Sequence, residues 1–292
     1  MDALCRLFGK SRQAYHERLK YVSLRNVEED IILSLVREAR TKFPRMGAKK
    51  LLIYLGATFE QMDISIGRDA FLELLYRNFL LVKRLRNKRK TTFSNHWMRK
   101  YPNLIRDYTP VSPNKLWVSD ITYIETKSGF AYLSLITDAY SRKIVGWNLS
   151  SRLDANSPLQ ALKKAVSELP KGNNKLIHHS DRGSQYCSFQ YVGMLNKHKI
   201  RISMTESGDP LENAIAERVN GILKMEWLHK NSLESYTEAR KVIDRIIVLY
   251  NNERPHQSLE YQVPAFIHET GMKTERKWKN YYKKGLSAVV RS

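Results

Sequence analysis

The chain has 292 residues, 42% of them hydrophobic and 27% charged, which is enough apolar material for a sizeable core and an ordinary charge density that argues against global disorder. Lys and Arg number 50 against 29 Asp and Glu, giving a net charge of +21 and a pI near 9.9, and a surplus of that size calls for a polyanionic partner. No apolar run approaches the roughly 18 residues that span a bilayer. The opening MDALCRLFGKSR lacks the apolar stretch of a secretory leader, and Cys5 and Cys187 make no zinc pattern. A cytoplasmic protein without a membrane partner is expected.

Length allows two domains. Gly9 breaks the chain, Ser11 is placed to cap a helix, and RQAYHERLK carries that helix to about residue 20. EEDIILSLVREARTKF (28–43) is a second helical run, with Ile31, Ile32, Leu35, Val36 and Ala39 as its apolar stripe and Pro44 as its stop. MGAKKLLIYL (46–55) is a further helix, and IGRDAFLELLYRNFLLVKR after Ser65 is another. Short helices with polar turns, the last one basic, suggest an all-α helix-turn-helix region over residues 1–90. Periodicity then lapses around Pro102, Pro110 and Pro113, so 91–112 reads as a basic, proline-containing linker. KLWVSDITYIET, FAYLSLITDAYS and KIVGWNLSS are three consecutive β-rich runs. A helix at about 155–168, a strand at 175–181, a helix at 188–199, a strand at 200–206, and helices at 213–228 and 235–253 follow. Three successive strands and then alternating helix and strand describe an α/β core, a mixed sheet with flanking helices, over 113–270. Residues 271–292 form a basic tail.

The charge follows these divisions. Residues 1–100 hold 22 basic and 10 acidic side chains, 101–270 hold 21 and 18, and 271–292 hold 7 and 1. The flanks carry the excess, and the nearly balanced middle keeps its acids. KRLRNKRK (83–90) is the steepest run, with six basic residues in eight, including Lys83, Arg84 and Arg86. It reads equally as a solvated linker or as a grip on a nucleic-acid backbone.

Asp120, Asp138, Asp181 and Asp209 sit at strand ends or in polar turns of the middle segment. Asp120 is embedded in LWVSDITYI, where a lone buried charge is costly without a partner, and a divalent cation is one such partner. Asp181 ends LIHHSD. On the helix NAIAERVNGILK, Ile215, Val219 and Ile222 share one face, while Asn213, Glu217, Asn220 and Lys224 share the opposite one. Sixty residues separate Asp120 from Asp181, and thirty-five separate Asp181 from Glu217. Asp138 reads as a turn residue. His178 and His179 read as supports rather than ligands, because imidazole suits zinc better than magnesium.

This order and spacing resemble the DDE transposases and retroviral-type integrases. LWVSDITYI (116–124), DAYSRKIVGW (138–147), HHSDRGSQY (178–186), GDPLENAIAERVNGILKMEW (208–227) and YNNERPH (250–256) resemble the second-frame transposases of bacterial insertion sequences. The resemblance implies a ribonuclease H-like core with a five-stranded mixed sheet. It also implies a catalytic, metal-holding triad of Asp120, Asp181 and Glu217, with Glu212 as the competitor for the third place. Two Mg²⁺ ions, with Mn²⁺ as substitute, would serve end cleavage and strand transfer by in-line displacement.

Lys224 would contact DNA near the cut, and Arg182 stands in a polar turn suited to phosphate. Arg254 and His256 either pack the last helix or reach DNA. GKSRQAYHERLK resembles the remnant of one helix-turn-helix. Lys49, Lys50, Ser65 and Arg68 are contact candidates for the terminal repeats in a second, although Ala48 stands where the family carries an aromatic residue. The expected partners are double-stranded DNA, as element ends and target, other copies of the chain on that DNA, and the product of an upstream frame; the expected place is the nucleoid. The rival readings are a non-catalytic DNA-binding regulator and a nuclease that cuts without joining.

Overall fold

A computed structural model describes residues 7, 9, 11–83, 97–170, 172, 175–206, 210–228 and 233–274. The chain divides into two compact units, Met1–Leu85 and Arg86–Ser292.

The first unit is helical: α1 (Arg12–Lys42), α2 (Ala48–Gln61) and α3 (Arg68–Arg77). Ser11 caps α1 by accepting the Ala14 N–H at 3.0 Å. The two helical runs expected at 9–20 and 28–43 are one helix of 31 residues. No Gly or Pro interrupts residues 12–43, and Arg25 pairs with Glu29 one turn on at 3.2 Å, so nothing ends the first run. Ile32, Val36, Phe43 and Met46 are buried in this unit, as are Leu51, Leu55 and Phe59 of α2 and Phe71, Leu74 and Leu75 of α3. The Arg40 guanidinium donates to the Met46 carbonyl at 2.6 Å, which fixes the turn before α2.

The second unit is built on a five-stranded sheet in the order β3-β2-β1-β4-β5. Its strands are β1 (Leu116–Thr126), β2 (Gly129–Asp138), β3 (Ile144–Ser150), β4 (Ile177–Ser180) and β5 (Arg201–Met204). β1, β2 and β3 run antiparallel, and β4 and β5 add on in parallel. This is the mixed sheet expected of a ribonuclease H-like core. Helices α4 (Asn156–Ser167) and α6 (Phe189–Lys197), with a single turn α5 (Ser184–Cys187) before α6, flank the sheet. The expected helix at 188–199 is thus split, and Ser188 caps its second part by accepting the Tyr191 N–H. Trp117, Ile136, Val145, Leu162, Tyr186 and Tyr191 belong to one core cluster. Gly146 is required where β3 meets α4, because a Cβ there would collide with the Ala161 carbonyl and sit 2.8 Å from the Ala165 methyl.

A smaller cluster of Leu116, Val118, Ala139, Ile177 and Ala216 brings α7 (Ala214–Leu223) onto β1. α7 passes into a wider, π-type turn at Lys224–Leu228. α8 (Tyr236–Asn252) runs beside β3: the Asn251 side chain accepts the Ile144 N–H at 2.9 Å and donates to the Ile144 carbonyl at 3.0 Å. A short helix, α9 (Pro264–Thr270), was not foreseen. It returns to the β2–β3 turn, where the His268 ring meets the Ser141 hydroxyl at 2.9 Å. Asp138 is wholly buried there and accepts the N–H groups of Asn114, Tyr140 and Ser141 at 2.8, 3.1 and 2.7 Å, as befits a turn residue. Asp209 lies outside the described residues. Among the described residues no helix is long and apolar enough to cross a membrane.

Candidate active site

The register of the parallel pair β1–β4 sets the site. Leu116, Trp117 and Val118 face Ile177, His178 and His179. Continued two residues further, the offset that pairs Val118 with His179 would bring Asp120 level with Asp181, the first residue past β4. Neighbouring strands lie about 4.8 Å apart, and side chains two residues apart share a face. Both carboxylates are therefore carried toward the face where α7 packs through Ala216.

The electrostatics agree with that placement. Asp120 is pushed up to about 7 from an ordinary 3.8, first by burial and then by the negative charge of Asp181, with a smaller push from Glu217. Two hydrogen bonds oppose the rise. The Asn220 amide donates to Asp120 Oδ2 at 2.7 Å, and the Ile121 N–H donates to Oδ1 at 2.9 Å. Glu217 is exposed on α7. Glu212 is turned elsewhere, its carboxylate accepting the Glu206 N–H at 2.7 Å, and its charge is not among those acting on Asp120. Among the described residues no three His, Cys, Asp or Glu side chains are closed into a metal-holding group.

The polar stripe of α7 does more than the helical wheel foresaw. Instead of facing away from the packed stripe, Asn213 and Asn220 are buried against β1, 7% and 5% exposed. Asn213 donates to the Ser119 carbonyl at 2.9 Å, and Asn220 holds Asp120. Asn220 is the site residue that the sequence reading passed over as a candidate. Its signal was an amide on the same helical line as Glu217 and Lys224. Asp181 is held by its own turn, with Oδ1 accepting the Gly183 N–H at 3.0 Å. A Cβ at Gly183 would stand 3.0 Å from that oxygen, so glycine leaves the carboxylate its room. Lys224 places its ammonium 4.0 Å from the centre of the Tyr123 ring. Burial lowers its pKa, and the attraction of Asp120 works against that fall.

His178 and His179 are core residues. Nε2 of His178 meets the Tyr191 hydroxyl at 2.8 Å, and Nδ1 of His179 meets the Ser203 hydroxyl at 2.8 Å. Burial lowers them to about 3 and about 4, so both rings are neutral at pH 7. The DNA role expected of Arg254 is corrected. Its side chain is 1% exposed and makes a two-pronged ion pair with Glu226, Nε to Oε2 at 2.7 Å and Nη2 to Oε1 at 2.6 Å. A guanidinium closed off in this way has no face for a phosphate. His256 is likewise interior, 8% exposed, and its Nδ1 meets the Ser258 hydroxyl at 3.0 Å. The packing alternative holds for both. Arg182 is half-buried in the turn after Asp181. In the N-terminal unit Lys49, Ser65, Arg68 and Lys83 are exposed and Lys50 is half-buried. Arg68 pairs with Asp69 at 2.8 Å. Arg84 and Arg86 lie outside the described residues.

Two family models described as integrase core domain match residues 110–210 and 198–264. The "Insertion element IS600 uncharacterized 31 kDa protein" of Shigella sonnei is 34% identical over 91% of this chain and 97% of its own length. The "Transposase InsF for insertion sequence IS3A" of Escherichia coli K12 is 30% identical over 88% of this chain and 89% of its own. Among solved structures, the HTLV-2 integrase catalytic core domain in complex with magnesium is similar with a TM-score of 0.43 and 20% identity, over 54% of this chain and 97% of that one. On the integrase core match and the two near full-length relatives, the chain belongs to the DDE transposases of bacterial insertion sequences.

Proposed function

We propose that the chain cuts the ends of its insertion element and joins them to target DNA at a site formed by Asp120, Asp181 and Glu217. The observation that carries this reading is the coupling of three carboxylates from three elements. Asp120 lies on β1 and Asp181 directly follows β4, its parallel neighbour, and the charges of Asp181 and of Glu217 on α7 both act on Asp120. A carboxyl raised to about 7 by burial and like charges is one whose ionised form gains from a nearby cation. The donors are hard oxygens, which suits Mg²⁺, or Mn²⁺ as substitute, better than zinc. Two such ions would polarise the phosphate and stabilise attacking and leaving oxygens in an in-line displacement.

The protein's own groups do the rest. Asn220 and the Ile121 N–H keep Asp120 oriented, and the Gly183 N–H keeps Asp181 oriented. Lys224 offers a cation beside the carboxylates for a DNA phosphate. In the N-terminal unit Lys49, Lys50, Ser65 and Arg68 offer contacts for the terminal repeats and Lys83 one for a DNA backbone; in the second unit Arg182, in the turn after Asp181, offers one for a phosphate. Several copies would assemble on double-stranded DNA, with the product of an upstream frame as a further partner, at the nucleoid.

The test is cleavage and strand transfer on DNA flanking the gene, with Mg²⁺ and with the upstream-frame product added. Asp120→Ala, Asp181→Ala and Glu217→Ala are expected to lose both steps and keep DNA binding, while Glu212→Ala keeps all three. Joining by Glu217→Ala would refute the triad. A wild-type protein that binds ends and never cuts them would establish the regulator instead.

A further inference from the structure

α7 does not end where its α-helical hydrogen bonds end. Lys224 opens a wider turn that runs to Leu228. Such turns are rare and poorly self-supporting, and they recur at functional sites. Two features hold this one from outside. Trp227 is buried, 5% exposed. Glu226 is gripped by both prongs of Arg254, at 2.7 and 2.6 Å. Arg254 is itself fixed: its N–H donates to the Leu249 carbonyl at 2.9 Å, and its guanidinium lies 5.8 Å from the Tyr250 ring centre.

A buried ion pair is a weak source of stability, because the cost of desolvating both charges offsets most of their attraction. A rigid two-pronged pair is a strong source of geometry. Glu226 and Lys224 stand two residues apart in the same widened turn, so a grip on Glu226 restrains the backbone that carries Lys224. The Lys224 ammonium points at the Tyr123 ring, 4.0 Å away, within the field of Asp120.

We propose that Glu226 and Arg254 are positioning residues that hold the π-type turn so that Lys224 meets a DNA phosphate beside the cutting site. The inference rests on the reading of Lys224 as a phosphate contact of the transposition site. It extends that reading to two residues that touch no DNA.

The test uses the full chain and a duplex carrying the element's terminal sequence, with binding measured as a function of salt. Lys224→Ala is expected to reduce the slope of log K against log salt by about one, the share of a single phosphate contact. The apolar pair E226L/R254M keeps the buried volume filled, so it is expected to melt near the wild-type temperature. It is nevertheless expected to show the same loss of slope as Lys224→Ala, and adding Lys224→Ala to it changes nothing further. A role confined to stability would move the melting temperature and leave the slope alone. A wild-type slope in E226L/R254M, or a further loss on adding Lys224→Ala, would overturn the proposal, as would a wild-type slope in Lys224→Ala itself. Should the apolar pair not fold, Arg254→Lys decides, since it retains the charge and loses the fork. It is expected to lose the same slope, and retention overturns the proposal. Absence of cutting by the wild type would count against transposition at this site, while the slopes still decide what the ion pair does.

Discussion

Asp120→Asn is expected to make the second unit more stable at pH 8 while abolishing transposition. In the folded chain Asp120 rises to about 7 from 3.8. A raised carboxyl binds its proton more tightly when folded. Its contribution to stability is therefore present below the unfolded value near 4 and is lost as pH rises to about 7. The difference of roughly three pH units corresponds to about 4 kcal/mol at about 1.4 kcal/mol per unit, as a ceiling. An asparagine carries no charge, so it escapes that loss. It does lose a hydrogen bond, because its side chain has one acceptor oxygen where Asp120 uses two, for Asn220 and for the Ile121 N–H. Subtracting about 1 kcal/mol for that bond leaves a net gain of about 3 kcal/mol at pH 8. The assay is denaturant unfolding in EDTA at pH 5 and pH 8, read by fluorescence from buried Trp117. Wild type should weaken from pH 5 to pH 8, and the variant should hold nearly level. A variant no more stable than wild type at pH 8 would refute the electrostatic account of the site.

Gly146→Ala should destabilise by about 1–3 kcal/mol in denaturant melts, as an overpacked contact does, because its methyl has no room against Ala161 and Ala165 of α4. Asn220→Ala should leave the fold in place and lower the strand-transfer rate on the order of tenfold in single-turnover assays, since Asp120 loses the amide that orients it. Asp138→Asn should cost about 1–3 kcal/mol in a thermal melt, because an amide cannot accept all the N–H and O–H groups that converge on the carboxylate.

The spacing of Asp120 and Asp181 stood out through its resemblance to the transposases; in the fold the chain between them leaves β1 and comes back on β4, its parallel neighbour. The alternating strands and the break at Pro44 were legible for local reasons. The surroundings of the site were not. An amide on a helical wheel looks alike whether it meets water or Asp120, and only the packing of α7 on β1 decides. Arg254 in a basic chain looks like a phosphate ligand until Glu226, 28 residues earlier, is seen beside it. The helical runs expected at 9–20 and 28–43 are joined into α1 because no Gly or Pro lies between residues 12 and 43 to end the first.

The side chain of Asn251 lies against the open flank of β3 as a strand would, supplying both a donor and an acceptor to Ile144. One hydrogen-bonding position on that flank is thereby satisfied from within the chain, which discourages another copy from extending the sheet there. A strand docking along that edge would have to displace the Asn251 amide before it could pair with Ile144.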